Sequence, residues 1–240
     1  MDQAGAAERY ERLKDYLSAD ADNLRLLSET ADAAYQAGRP EAAAELIERH
    51  AAIATLPPSL INLLGLCALA EGRDEDAVGI FSSLLAHQPE DRGLRFNLAW
   101  ARSRTGDPQG ALELLEEASH TPQAAALAVR SLHQLERLEE AVALGEQWEG
   151  RSDDSDLWAA LATAALDHSD MEKAALWAPR ATGTAEGQAA LGMLAAADGR
   201  SAEAREHFQR ALALRPDSAR GRLGLGTVLL SEDAPAEAAR

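Results

Sequence analysis

Residues Ala185–Ser218 read AEGQAALGMLAAADGRSAEAREHFQRALALRPDS. Leu191, Gly192 and Ala195 line one helical face, and Asp198-Gly199 breaks that helix. Ala204, Phe208 and Ala211 line the face of a second helix, which Pro216 ends. The segment therefore predicts two short helices joined by a tight turn. Ala204 follows Gly199 by five residues, and the same step occurs at Gly38/Ala43, Gly72/Ala77 and Gly106/Ala111, each 34 residues from the last. The alanines continue through Ala141, Ala174, Ala204 and Ala238. A small residue suits the point where two paired helices approach most closely, and glycine permits the positive φ that ends a helix.

This order of residues on a 34-residue period resembles the tetratricopeptide repeat (TPR) in its bacterial form. The resemblance implies an all-α chain, a right-handed superhelical solenoid of helix-turn-helix repeats, each touching only its neighbours. Residues 1–240 then form a single solenoid. It starts with a half-repeat cap at 5–21, where Tyr10, Leu13 and Leu17 share a face, followed by repeats at 24–57, 58–91, 92–121, 122–154, 155–184 and 185–218 and an incomplete seventh at 219–240. In the fourth repeat Glu136 stands where the turn glycine should be, which predicts a differently built turn. Pro179 falls inside a second helix and should bend or shorten it. The seventh repeat should turn before Pro235 and stop, leaving Leu223, Leu225, Val228, Leu229 and Leu230 almost bare. That ending suggests a chain cut from a longer protein, or one that expects a partner there.

The chain carries 23 basic and 40 acidic residues, a net charge of −17, and should repel nucleic-acid phosphates. It has no transmembrane-length apolar run, and its N-terminus lacks the apolar core of a secretory signal. A cytoplasmic protein is expected, or a periplasmic one if a leader has been removed. Cys67, the one cysteine, permits no intrachain disulfide and is expected to be a buried structural thiol. No two histidines stand at the i, i+4 spacing of a helical metal pair. There is no G-x-S-x-G and no phosphate-cradling loop, and Gly221–Gly226 falls within a helix instead of following a strand. No catalytic residue, metal or cofactor is expected, and the chain is not read as an enzyme.

Acidic residues gather on second helices, which in this family form the convex outside. The exception is Arg92–Thr105, whose Arg92, Arg95, Arg102 and Arg104 stand without an acid. Family resemblance places Phe96, Trp100 and Arg104 on the concave groove, with Asn62, Leu66 and Leu69 from the helix before and Ala126, Arg130 and His133 from the helix after. Asn97 matches the asparagine with which one subclass clamps a chaperone's terminal carboxylate, and Arg130 offers a cation. The lysines of that clamp are missing, so no chaperone is assigned. The groove positions of Ala185–Ser218 itself, Glu186, Ala189, Met193, Ala196 and Ala197, are small and bland. The candidate peptide-binding groove is therefore Leu66, Leu69, Phe96, Asn97, Trp100, Arg104, Arg130 and His133. Its expected ligand is an extended protein segment, acidic or bearing a carboxylate. The alternatives are that Trp100 packs against its neighbours while the arginines pair with the surplus acids, that the array is the non-catalytic arm of a larger enzyme such as a transferase, and that the last helix mediates self-association.

Overall fold

The computed structural model describes residues 3–52, 54–115 and 121–238, with side chains as far as residue 231. Glu116, Glu117 and His120, and the side chain of Ala238, lie outside the described residues. The helices are α1 (Gln3–Ala19), α2 (Leu24–Gln36), α3 (Pro40–Ala51), α4 (Pro58–Ala70), α5 (Asp74–His87), α6 (Arg92–Arg104) and α7 (Pro108–Leu115). They continue with α8 (Pro122–Gln134), α9 (Leu138–Trp148), α10 (Ser155–Asp167), α11 (Met171–Trp177), α12 (Ala185–Ala197), α13 (Ser201–Leu214) and α14 (Ala219–Ala238). No strand occurs among the described residues. Contacts divide the chain into two units, Met1–Leu114 and Leu115–Arg240. Within the first, α4 packs on α2, α3, α5 and α6; within the second, α10 packs on α8, α9, α11 and α12, and α12 on α13 and α14. Contact of each helix with its nearest neighbours and with the next first helix is the packing of an all-α solenoid.

Local chemistry starts the first helices. Asn23, Asp91, Thr121, Asp154 and Thr184 each accept an amide hydrogen from the first turn of the helix they precede. Such a cap contributes about 1 kcal/mol. Asp107 and Asp170 do the same for the second helices α7 and α11, and the second helices emerge from a turn that is the same in both units. At Gly38, Gly72, Gly106 and Gly199 φ lies between 74° and 83°. The following residue donates its amide five residues back, as in Arg73 to Ala68 and Arg200 to Ala195. This closure satisfies carbonyls that the helix end would otherwise leave free.

Glu136 does not build its turn differently. Its φ is 59°, its amide bonds His133, and the Arg137 amide returns to Leu132. Ser169, at φ 63°, does the same, with Asp170 returning to Ala165. The hydrogen-bonding demand of the helix end overrides the side chain's reluctance to enter the left-handed region, at a cost of about 1–2 kcal/mol.

Packing follows the small-residue ladder. Ala43, Ala77, Ala111, Ala141, Ala174 and Ala204 are all fully buried. Beside them Phe81 and Phe208 lie against glycines of the facing helix: a Cβ on Gly65 would come within 2.6 Å of Phe81, and one on Gly192 within 2.7 Å of Phe208. In the second unit Trp158 and Trp177 replace phenylalanine as the largest buried side chains, and Arg180 lies 3.5 Å from the Trp158 ring centre. Pro179 has the expected consequence, because α11 ends at Trp177 and a 3-10 turn, Ala178–Ala181, follows.

The end of the chain departs from expectation. No turn precedes Pro235, and α14 runs unbroken to Ala238. Between Thr227 and Ala234 there is no glycine at which to reverse, and the proline removes only one amide donor from the helix. Nor are all five apolar residues bare: Val228 is buried and Leu225 partly so, both in the cluster with Phe208.

The left-handed residues supply a test. Glu136→Gly and Ser169→Gly should each stabilise the fold by about 1 kcal/mol, because both side chains are exposed and only backbone strain is relieved. Gly192→Val should lose several kcal/mol, of the order of a severe core overpacking. Urea unfolding midpoints measure all three, and a destabilised Glu136→Gly would contradict the strain assignment.

Candidate functional site

In the first unit α4 and α6 carry the expected residues. Trp100 is 37 % exposed, and Phe96, one turn before it on the same face, is half-buried. Leu66 is half-buried and packs partly into the core; Leu69 is 1 % exposed and has no surface to offer a ligand. Asn97 Nδ2 donates to Asn62 Oδ1 at 2.9 Å, joining α6 to α4. That bond leaves the Asn62 amide donors and the Asn97 carbonyl available in a fixed relative geometry. Beside the pair an open cavity of about 280 Å³ is bounded by Ser59, Gln88, Asp91 and Gly93.

Three of the four arginines of α6 are matched by their surroundings. Arg104 Nε lies 2.9 Å from Asp74 Oδ1, with both side chains partly exposed. Arg102 approaches Asp107 at 3.7 Å, and Arg95 donates twice to the Pro89 carbonyl, at 3.0 and 2.7 Å. A helix without an acid of its own is thus answered by acids and carbonyls just outside it.

Arg130 and His133 belong to the second unit, on α8. Arg130 is exposed; Ala126, also placed on the groove by the repeat pattern, is buried. His133 Nε2 lies 2.7 Å from Asp167 Oδ2 at the end of α10, and Arg220 of α14 donates to the same oxygen. The other amino group of Arg220 lies 3.7 Å from Met193 Sδ on α12. Asp167, Met193, Arg220 and Leu223 together border an open cavity of about 500 Å³. In the sequence, the small groove positions of α12 give no sign of this place. The signal was present one repeat further on: the same positions counted along α14 fall on Arg220, Leu223 and Thr227.

Among the described residues no group of three histidine, cysteine or carboxylate side chains is placed to hold a metal ion. No helix among them is long and apolar enough to cross a membrane.

Two stretches of the chain, residues 68–133 and 189–240, match profiles described as tetratricopeptide repeat. No curated protein sequence matches. Among solved structures the chain is similar to a tetratricopeptide repeat protein from Parabacteroides merdae, with 14% identity, 93% of this chain and 92% of the other covered, and a TM-score of 0.77. It is similar also to the TPR protein TTC0263 of Thermus thermophilus, with 21% identity, coverage of 72% and 100%, and a TM-score of 0.60. Yeast Tom70 aligns at 13% identity over 98% of this chain and 53% of its own length, with a TM-score of 0.72. At these identities the likeness is one of fold.

Cys67 lies inside the first unit, fully buried on α4. Burial, then the neighbouring Glu71 carboxylate, pushes its thiol up to about 12. A thiol this hard to ionise is a poor nucleophile. In the folded chain at pH 8 it should resist Ellman's reagent over hours and then react at one equivalent once urea unfolds the protein. Rapid native-state labelling would show instead that the first unit opens readily.

Proposed function

We propose that this chain, which belongs to the tetratricopeptide repeat family, holds a segment of a partner protein against the α4–α6 face of its first unit. Repeats of this kind generally act as protein–protein interaction scaffolds and are generally non-catalytic. The observation that carries the reading is the company Trp100 keeps. A tryptophan exposed to 37 % stands one turn from half-buried Phe96, on a helix whose Asn97 is locked to Asn62 across to α4. Trp100 and Phe96 offer apolar contact, and the asparagine pair offers the Asn97 carbonyl as acceptor and its remaining amide hydrogens as donors to an extended backbone. Exposed tryptophan is among the residue types that most often dominate binding energy.

The charge of the ligand follows from Arg104. Asp74 engages Arg104 at Nε while the guanidinium stays partly exposed, so a ligand carboxylate can bind its remaining donors without displacing Asp74. An acidic or carboxylate-bearing segment is therefore the preferred occupant, with apolar contact as the larger contribution. An affinity near the micromolar range, roughly −8 kcal/mol, is what such a surface need provide.

Affinity capture from native extract, with the retained protein identified and then titrated, tests the reading. Trp100→Ala with Arg104→Ala should weaken that binding at least about tenfold, roughly 1.4 kcal/mol or more. Trp100→Ala forfeits packing and Arg104→Ala leaves the largely buried Asp74 carboxylate without its cation, so the thermal midpoint should fall. Binding is compared at a temperature where circular dichroism shows the variant fully folded. Undiminished capture by the folded double variant would remove α4–α6 as the site.

A further inference from the structure

The cavity of the second unit, about 500 Å³ between α12 and α14, is used by nothing in the preceding reading. Met193 and Ala196 form one wall and Leu223 and Thr227 the other, with Phe208 at its base. Leu223 is 74% exposed, and so is Leu230. The two stand seven residues apart and therefore share a face of α14. Large aliphatic side chains so exposed two turns apart on one face are the mark of a surface that is covered in use. The volume lies within the range of about 300–1,000 Å³ typical of ligand pockets.

The polar groups at its mouth select the occupant. Asp167 accepts from Arg220 and lies 2.7 Å from His133, so the carboxylate and the guanidinium on the wall already neutralise each other. The Thr227 hydroxyl donates to the Leu223 carbonyl at 2.9 Å. A charged ligand entering here would lose water without gaining a counter-ion, whereas an apolar one loses nothing. The complementary ligand is therefore uncharged as well as apolar. Resting on the reading that the chain is a protein-binding scaffold, we infer that the α12–α14 cavity takes an uncharged, apolar stretch of a partner protein, seating a leucine- to phenylalanine-sized side chain between Met193 and Leu223.

Methionine methyl resonances test this directly. Met193 lines the cavity, and Met171, 48% exposed on α11, is the internal reference. The probe is a capped, net-neutral amphipathic peptide with leucines along one face, and its control carries serine in their place. The leucine peptide should shift the Met193 methyl saturably and leave Met171 unmoved. Leu223→Lys with Leu230→Lys, at positions that contribute little to the core, should weaken that response at least about tenfold. The Met193 response should persist in the Trp100→Ala, Arg104→Ala chain, so failure at α4–α6 and failure here are told apart. The inference is overturned if Met193 does not respond, if both methionines shift alike, or if the serine peptide works as well. It is overturned too if the Met193 methyl shifts with protein concentration alone, which would make a second copy the occupant.

Discussion

Each second helix closes on its partner through an alanine that has no room to be larger. Ala43, Ala77, Ala111, Ala141, Ala174 and Ala204 all have no solvent exposure, and beside two of them a phenylalanine ring rests on a glycine across the pair. Close approach at one point fixes how far apart the helices stand, and interiors packed as densely as this admit few other arrangements. The turn must then reverse the chain within two residues, which places one residue in the left-handed region. That demand is strong enough to hold Glu136 and Ser169 there as well as four glycines. The geometry of the pair comes first, and the glycine accommodates it.

This ordering explains what could be read in advance. The alanine spacing is a consequence of the close approach, so it located the helix pairs across nearly the whole chain. The glycine at the turn relieves strain without creating the turn, so its loss at Glu136 falsely suggested another construction. Pro179 was legible because a missing amide donor acts locally. The course of α14 was not, because one proline weighs against a run of helix-permitting residues and the pattern cannot say which prevails.

The candidate site was legible in its apolar members and poorly so in its charges. Phe96 and Trp100 share a face because helical spacing dictates it. Leu69 was misjudged because a position count assigns a direction but cannot tell whether the next helix covers it; here the core does. The sequence left two outcomes open for the arginines of α6, a cationic groove or pairing with the surplus acids, because spacing along one helix cannot show which acids its neighbours bring near. Asp74, Asp107 and the Pro89 carbonyl, which answer them, come from the neighbouring helix, the next turn and the preceding loop.

A net charge of −17 invites the view that a cationic patch must be functional, yet pairing is the rule over this surface. Arg73 reaches Glu71 and Asp76, Arg137 reaches Glu140, and Arg200 reaches Asp198 and Glu203, each at the start of a second helix. With 40 acids to 23 bases, an arginine finds a carboxylate wherever the fold brings one within reach, and exposed pairs of this kind contribute little to stability because water and salt screen them. Long-range acidity then governs which partners approach, and it disfavours other polyanions. What distinguishes one place on the surface from another is the exposure of uncharged groups: the Trp100 ring beside a locked asparagine pair in one unit, and Leu223 in a cavity with a neutralised Asp167 in the other. Selectivity in such a chain rests largely on apolar shape, because most of its arginines already have a carboxylate or carbonyl partner within the fold.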